Sequence, residues 1–85
     1  MTYEQRLRRV IVDHLGPVSD PTFEKRFRQE LRCDAIDMEM IHRALEGEFN
    51  VDIAESDFAQ VNTVRDAAFL IDRLVACAAI AQVSQ

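Results

Sequence analysis

Apolar residues recur three and four positions apart along most of this chain, a spacing that points to amphipathic helices packed on a shared core. In the first such segment Tyr3, Leu7, Val10, Ile11 and Leu15 share one side, while Glu4, Arg6, Arg8, Arg9 and Asp13 fall largely on others. Thr2 is placed to cap its start, and Gly16-Pro17 stops it. A second segment opens at Asp34, whose carboxylate can accept from the free amides of the first turn, with Asp37 adding favourable charge there. Met38, Ile41, Leu45 and Phe49 form its apolar stripe, with Ala44 beside it. Ile36 and Met40 lie well away from that stripe at about 100° per residue, so both are expected to face solvent.

The stretch from Val18 to Cys33 contains the turn Ser19-Asp20-Pro21 and three core anchors, Phe23, Phe27 and Leu31. It is long for a structureless loop in a small domain, so part of it is expected to be helical. After the acidic connection Asn50 to Ala54 comes a brief third segment near Glu55 to Gln60, with Ile53, Phe58 and Val61 as apolar contributors. One or two turns do not persist alone, so packing must hold them. The fourth segment starts at Thr63, which with Asp66 forms a variant capping box, and runs towards Ile80. Val64, Ala67, Ala68, Ile71, Leu74, Val75 and Ala78 give it a broad buried face. Three longer helices, one short third helix and a long first loop describe an all-α, four-helix bundle spanning residues 1–85 as a single domain.

With 85 residues the chain is expected to bury only about 60% of its unfolded surface, too little to enclose a large catalytic cleft. The formal net charge of -5 argues against general binding to nucleic acid. Its distribution is uneven: residues 1–33 hold seven Lys or Arg against five Asp or Glu, and residues 34–85 hold three against ten. An acidic second half suggests a basic partner. No segment resembles a secretion signal, and Leu74 to Ala81 is far shorter than the roughly 20 residues a bilayer span needs. A soluble, cytoplasmic protein is expected. Cys33 and Cys77 have no His or Cys at ligand spacing, so no metal site is expected, and His14 and His42 have no catalytic partner spacing.

Asp34-Ala35-Ile36-Asp37, followed by Ile41, Ala44-Leu45-Glu46 and Glu48-Phe49, resembles the D-S-L-D, L, A-L-E, E-F signature of acyl carrier proteins, with alanine in place of serine. Tyr3-Glu4, Arg6, Ile11 and Leu15-Gly16 resemble the family's first helix, and Phe27 with Glu30-Leu31 the end of its first loop. Ile53 and Val61-Asn62-Thr63-Val64 resemble the passage into its last helix. The resemblance implies an acyl-carrier-like bundle that is not an enzyme. In the serine form it implies a 4'-phosphopantetheine arm at position 35, whose thiol shuttles acyl groups as thioesters. It also implies a contact surface for partners made of Asp34, Ile36, Asp37, Met40, Glu46 and Glu48, and an acyl-chain lining from Leu45, Phe49, Ile53, Phe58, Val61 and Ala68. The implied partners are a phosphopantetheinyl transferase and acyl-transfer or synthase enzymes with basic docking surfaces, met by a monomer.

Several residues depart from the family pattern. Ala35 has no hydroxyl to join to phosphate, Arg32 stands where glycine is usual, Glu39 and Arg43 replace apolar contacts, and Met40 replaces an acidic residue. A specialised carrier of fatty acid, lipid or polyketide biosynthesis is expected, with Ala35 an engineered replacement of serine. The alternative is a natural carrier-like interaction protein without a prosthetic group. Direct acylation of Cys33 and acid/base work by Asp34 with Asp37 are weaker readings, since neither has a supporting constellation in the sequence.

Overall fold

Each of the three long helices begins where a side chain satisfies amides that the helix itself leaves without partners. The computed structural model describes residues 2–83, with side chains as far as Cys77 apart from Val18. Helix α1, Tyr3–Leu15, is capped by Thr2, whose hydroxyl accepts from the Gln5 amide while the Gln5 side chain accepts from the Thr2 amide. Gly16 closes it at a φ of 94°, its amide donating to the Val12 carbonyl. Helix α2, Ala35–Phe49, is capped by Asp34 and ends at Asn50, in the left-handed region that asparagine tolerates. Helix α3, Glu55–Phe58, is a single turn, shorter than the segment expected from the sequence. Helix α4, Val64–Val83, follows Thr63, whose hydroxyl accepts from the Asp66 amide at 3.1 Å while the Asp66 carboxylate accepts from the Thr63 and Asn62 amides.

One apolar cluster joins these elements. Leu7, Val10 and Ile11 of α1 meet Met38, Ile41, Leu45 and Phe49 of α2, Phe58 of α3, and Val64, Ala67, Leu70 and Ile71 of α4. Phe27, Leu31, Cys33, Ile53 and Val61 enter it from the connections. The architecture is the expected all-α four-helix bundle, and among the described residues there is no strand, only an isolated bridge between Arg26 and Thr63.

Some positions differ from the sequence reading. Tyr3 is 44% exposed and packs its ring edge-on against Phe49 at 5.9 Å, so it guards the margin of the core and does not fill it. Ala44 is exposed, because the stripe of α2 turns past it. Leu70 and His42 are buried although neither was assigned to the core. Ala78 lies outside the described side chains.

The connection between α1 and α2 holds one 3-10 turn, Pro17–Ser19, and is otherwise non-helical. Tertiary bonds replace the helix. The amides of Val64 and Arg65 open α4 and have no acceptor within it; they donate to the Lys25 and Phe23 carbonyls, each at 3.0 Å. In return the Phe27 amide donates to the Asn62 carbonyl at 2.8 Å. Phe27 and Pro21 are fully buried under this exchange, and Phe23 is partly buried. The connection then closes on α2 through Arg32, held at a φ of 58°.

That left-handed value is where a Cβ is disfavoured and glycine is not. Arg32→Gly is expected to raise stability by about 0.5–1 kcal/mol, read from urea or thermal unfolding. A loss of stability would mean that the Arg32 side chain contributes more than its backbone strain costs.

Candidate functional site

Residue 35 is the first residue of α2, exposed, and preceded by a cap that works in both directions. Asp34 Oδ1 accepts from the Asp37 amide at 2.8 Å, and Asp37 Oδ2 accepts from the Asp34 amide at 3.2 Å. The other oxygen of Asp37 accepts from His14 Nε2 at 3.1 Å, so the last turn of α1 grips the first turn of α2. The Cys33 amide donates to the Phe27 carbonyl at 2.8 Å, fixing the approach from the loop. The Asp34 amide first, and then His14, holds the Asp37 carboxyl below the usual carboxylate range.

The expected contact residues divide into two groups. Asp34, Ile36, Asp37 and Met40 lie on the first turns of α2 or its cap, around residue 35, with Ile36 70% and Met40 52% exposed. Glu46 and Glu48 lie towards the other end and are engaged within the molecule. Glu46 accepts from the Ile53 amide at 2.9 Å and from Arg43 at 3.1 Å, and those bonds, the amide above all, depress its pKa. Glu48 takes Arg6 Nη2 at 3.0 Å and Nε at 3.2 Å, while its carbonyl accepts from Nη2 at 2.7 Å. The Arg6 guanidinium lies 4.6 Å from the centre of the Phe49 ring.

Of the residues expected to line an acyl chain, Leu45, Phe49, Ile53, Phe58 and Val61 are buried in the common core. Ala68 is only partly buried and faces elsewhere. It lines a cavity of about 240 Å³ between α1 and α4, together with Tyr3, Leu7, Phe23 and Phe69.

His42 was missed as part of this framework. It is 2% exposed, donates from Nε2 to the Ile53 carbonyl at 2.7 Å and stacks on Phe58 with ring centres 4.6 Å apart. With Glu46 on the Ile53 amide, α2 holds both polar groups of that residue's backbone. The spacing Met38, His42, Leu45, Phe49 carries the signal, since His42 continues the apolar stripe.

Cys33 is buried, and its thiol is pushed up to about 11, first by burial and then by Asp37 and Asp34, with Arg28 opposing. A thiol so rarely ionised is a poor acyl acceptor. Among the described residues no group of three His, Cys, Asp or Glu side chains is placed to hold a metal ion, and no helix is long and apolar enough to cross a membrane.

Residues 5–71 match the family model described as the phosphopantetheine attachment site. This chain belongs to that family. The acyl carrier protein of Zymomonas mobilis subsp. mobilis is 33% identical over 69 residues, covering 80% of this chain and 88% of that protein. The acyl carrier protein of Solidesulfovibrio magneticus is 30% identical over 74 residues, covering 86% and 95%. Members of the acyl carrier family are carriers, not catalysts, and this chain is accordingly not an enzyme. The family's arm does not fit covalently at residue 35 as it stands, because the alanine methyl offers no oxygen.

The lowered pKa of Asp37 sets a pH dependence. Its ionised form is favoured by folding, so its contribution is present above the ordinary carboxylate value of about 3.9 and disappears as pH falls through the lower folded value. Asp37→Asn should therefore be less stable than the parent near neutral pH, with the gap closing in acid, as urea midpoints at about pH 7 and about pH 2 would show. An equal gap at both would assign the loss to something other than the charge.

Proposed function

We propose that the chain is a specialised acyl carrier and that residue 35 is its attachment position, with serine replaced by alanine, an engineered change on this reading. In the serine form it would bear a 4'-phosphopantetheine arm and hand acyl thioesters between enzymes of fatty acid, lipid or polyketide biosynthesis. One observation carries the reading: an exposed first residue of α2 stands on a reciprocally capped, clamped helix start, with two exposed apolar side chains beside it. Rigid presentation of one small side chain at a helix N-terminus suits modification by another enzyme. Those amides also favour a phosphodiester close by.

The partners in this reading are a phosphopantetheinyl transferase, which would modify the serine form, and acyl-transfer or synthase enzymes, which would exchange cargo with it. The protein would act as a cytoplasmic monomer. Core residues such as Leu45, Phe49 and Phe58 would shelter cargo only by moving apart, since they are closely packed in the described state.

Ala35→Ser, incubated with coenzyme A and a broad-specificity transferase, should gain the mass of one phosphopantetheine arm, while the parent should gain nothing. A folded serine variant that stays unmodified would favour the alternative, a carrier-like interaction protein that works without an arm.

A further inference from the structure

Among the described residues four large apolar side chains stand exposed, and two of them, Ile36 and Met40, belong to the surface beside residue 35. The other two, Tyr3 at 44% and Phe69 at 67%, sit on different helices yet border one cavity, the hollow between α1 and α4. That hollow opens at the first turns of α1, whereas α1 reaches the start of α2 through His14 in its last turn. Tyr3 and His14 are about 16 Å apart along the helix at about 1.5 Å per residue, so the hollow is separate from the candidate attachment position.

Local sequence builds the hollow. Arg65, Ala68, Phe69 and Asp72 recur three and four positions apart and share one side of α4, and Tyr3 and Leu7 share one side of α1. Ala68 contributes only a methyl group to its side, between the aromatic ring of Phe69 and the buried Leu7 and Ile71. At about 240 Å³ the space falls below the roughly 300–1,000 Å³ of a pocket for a drug-sized molecule, and it suits one or two inserted side chains.

The rim is acidic. Glu4 and Asp72 line it, are exposed and form no ion pair among the described residues. Arg65 is the single cation among the lining residues, and its guanidinium stands 3.4 Å from Glu24. An apolar hollow with carboxylates at its mouth fits a bulky apolar side chain that has a lysine or arginine beside it. Residues three or four apart share one side of a helix, so a single helical segment laid along the groove between α1 and α4 offers both. A second copy of this chain fits less well, because each copy carries a formal net charge of -5.

We propose that the hollow between α1 and α4 receives a helical segment of a partner protein, whose apolar anchor fills the space beside Ala68 and Phe69 while an adjacent Lys or Arg meets Glu4 and Asp72. This surface acts without residue 35, so it stands whether or not the chain carries an arm. The exposed rings of Tyr3 and Phe69 close over the anchor, which is how a few large side chains come to supply most of the energy of an interface.

The probe is a capped, alanine-based helical peptide of about 18 residues, with one phenylalanine and lysines three and four positions from it. In a titration of the whole protein followed by amide NMR, Tyr3, Glu4, Ala68, Phe69 and Asp72 should shift together, with a Kd on the order of 100 μM. Phe69→Ser, and Ala68→Leu, which fills the space, should each raise the Kd about tenfold. Glu4→Gln/Asp72→Asn should raise it about threefold at low salt. Amide spectra unchanged away from the hollow establish that a variant is folded; if Ala68→Leu is not, Phe69→Ser decides, since its side chain lies mostly in solvent. Shifts centred on α2, a Kd that ignores Phe69→Ser, or equal binding of a peptide with glutamates in place of the lysines would overturn the proposal. So would the absence of any shift at about 1 mM peptide. Shifts at the hollow that grow with protein concentration alone would give this surface to a second copy and overturn the choice of partner.

Discussion

Two hydrogen bonds traded between Asp34 and Asp37 hold the start of α2, and the geometry of the candidate site follows from them. Each aspartate satisfies an amide that the helix leaves free, and each orients the other's carboxylate. Because one oxygen of Asp37 is committed to the cap, the other is directed at His14, which locks the end of α1 to the beginning of α2. Residue 35 stands between these constraints with its own side chain in solvent. The exposure of Ile36 and Met40 follows as well, since fixing the helix start and burying Met38 and Ile41 leaves them no other side to occupy.

The long connection does for α4 what the caps do for α2. Its carbonyls at Phe23 and Lys25 receive the first amides of α4, and Phe27 plugs the space beneath. A helix in this connection would use those carbonyls internally and leave α4 without acceptors. The strain at Arg32 is the consequence, because the chain must turn sharply from this crossing into the Asp34 cap.

Contacts set by neighbours along the chain were legible in the sequence. Asp34 before an apolar period and the Thr63 to Asp66 spacing announced two caps, though the return bond from Asp37 was read only as favourable charge, and the period of Met38, Ile41, Leu45 and Phe49 announced the buried side of α2. Phe27 and Leu31 could be named as anchors because they are large apolar residues in a polar stretch. Contacts between distant residues were not legible. The pairing of Arg6 with Glu48, of His14 with Asp37 and of His42 with Ile53 depends on how the helices cross, and no local spacing encodes that. The first two of these change the electrostatic reading, because the Glu48 and Asp37 carboxylates, acidic and free in the sequence, take Arg6 and His14 in the fold. Ala68 shows the same limit, since its period placed it on the buried side of α4 but not beside a particular neighbour.

This chain of the phosphopantetheine attachment family presents an alanine as the exposed first residue of a reciprocally capped helix. The proposal is therefore positional: residue 35 is where the serine form would carry the arm. Tandem mass spectrometry of proteolytic peptides from the transferase-treated Ala35→Ser protein tests this most directly. The account predicts the arm on the peptide containing residues 33–37, localised to residue 35. An arm found on Ser19, Ser56 or any other hydroxyl of the chain would contradict it.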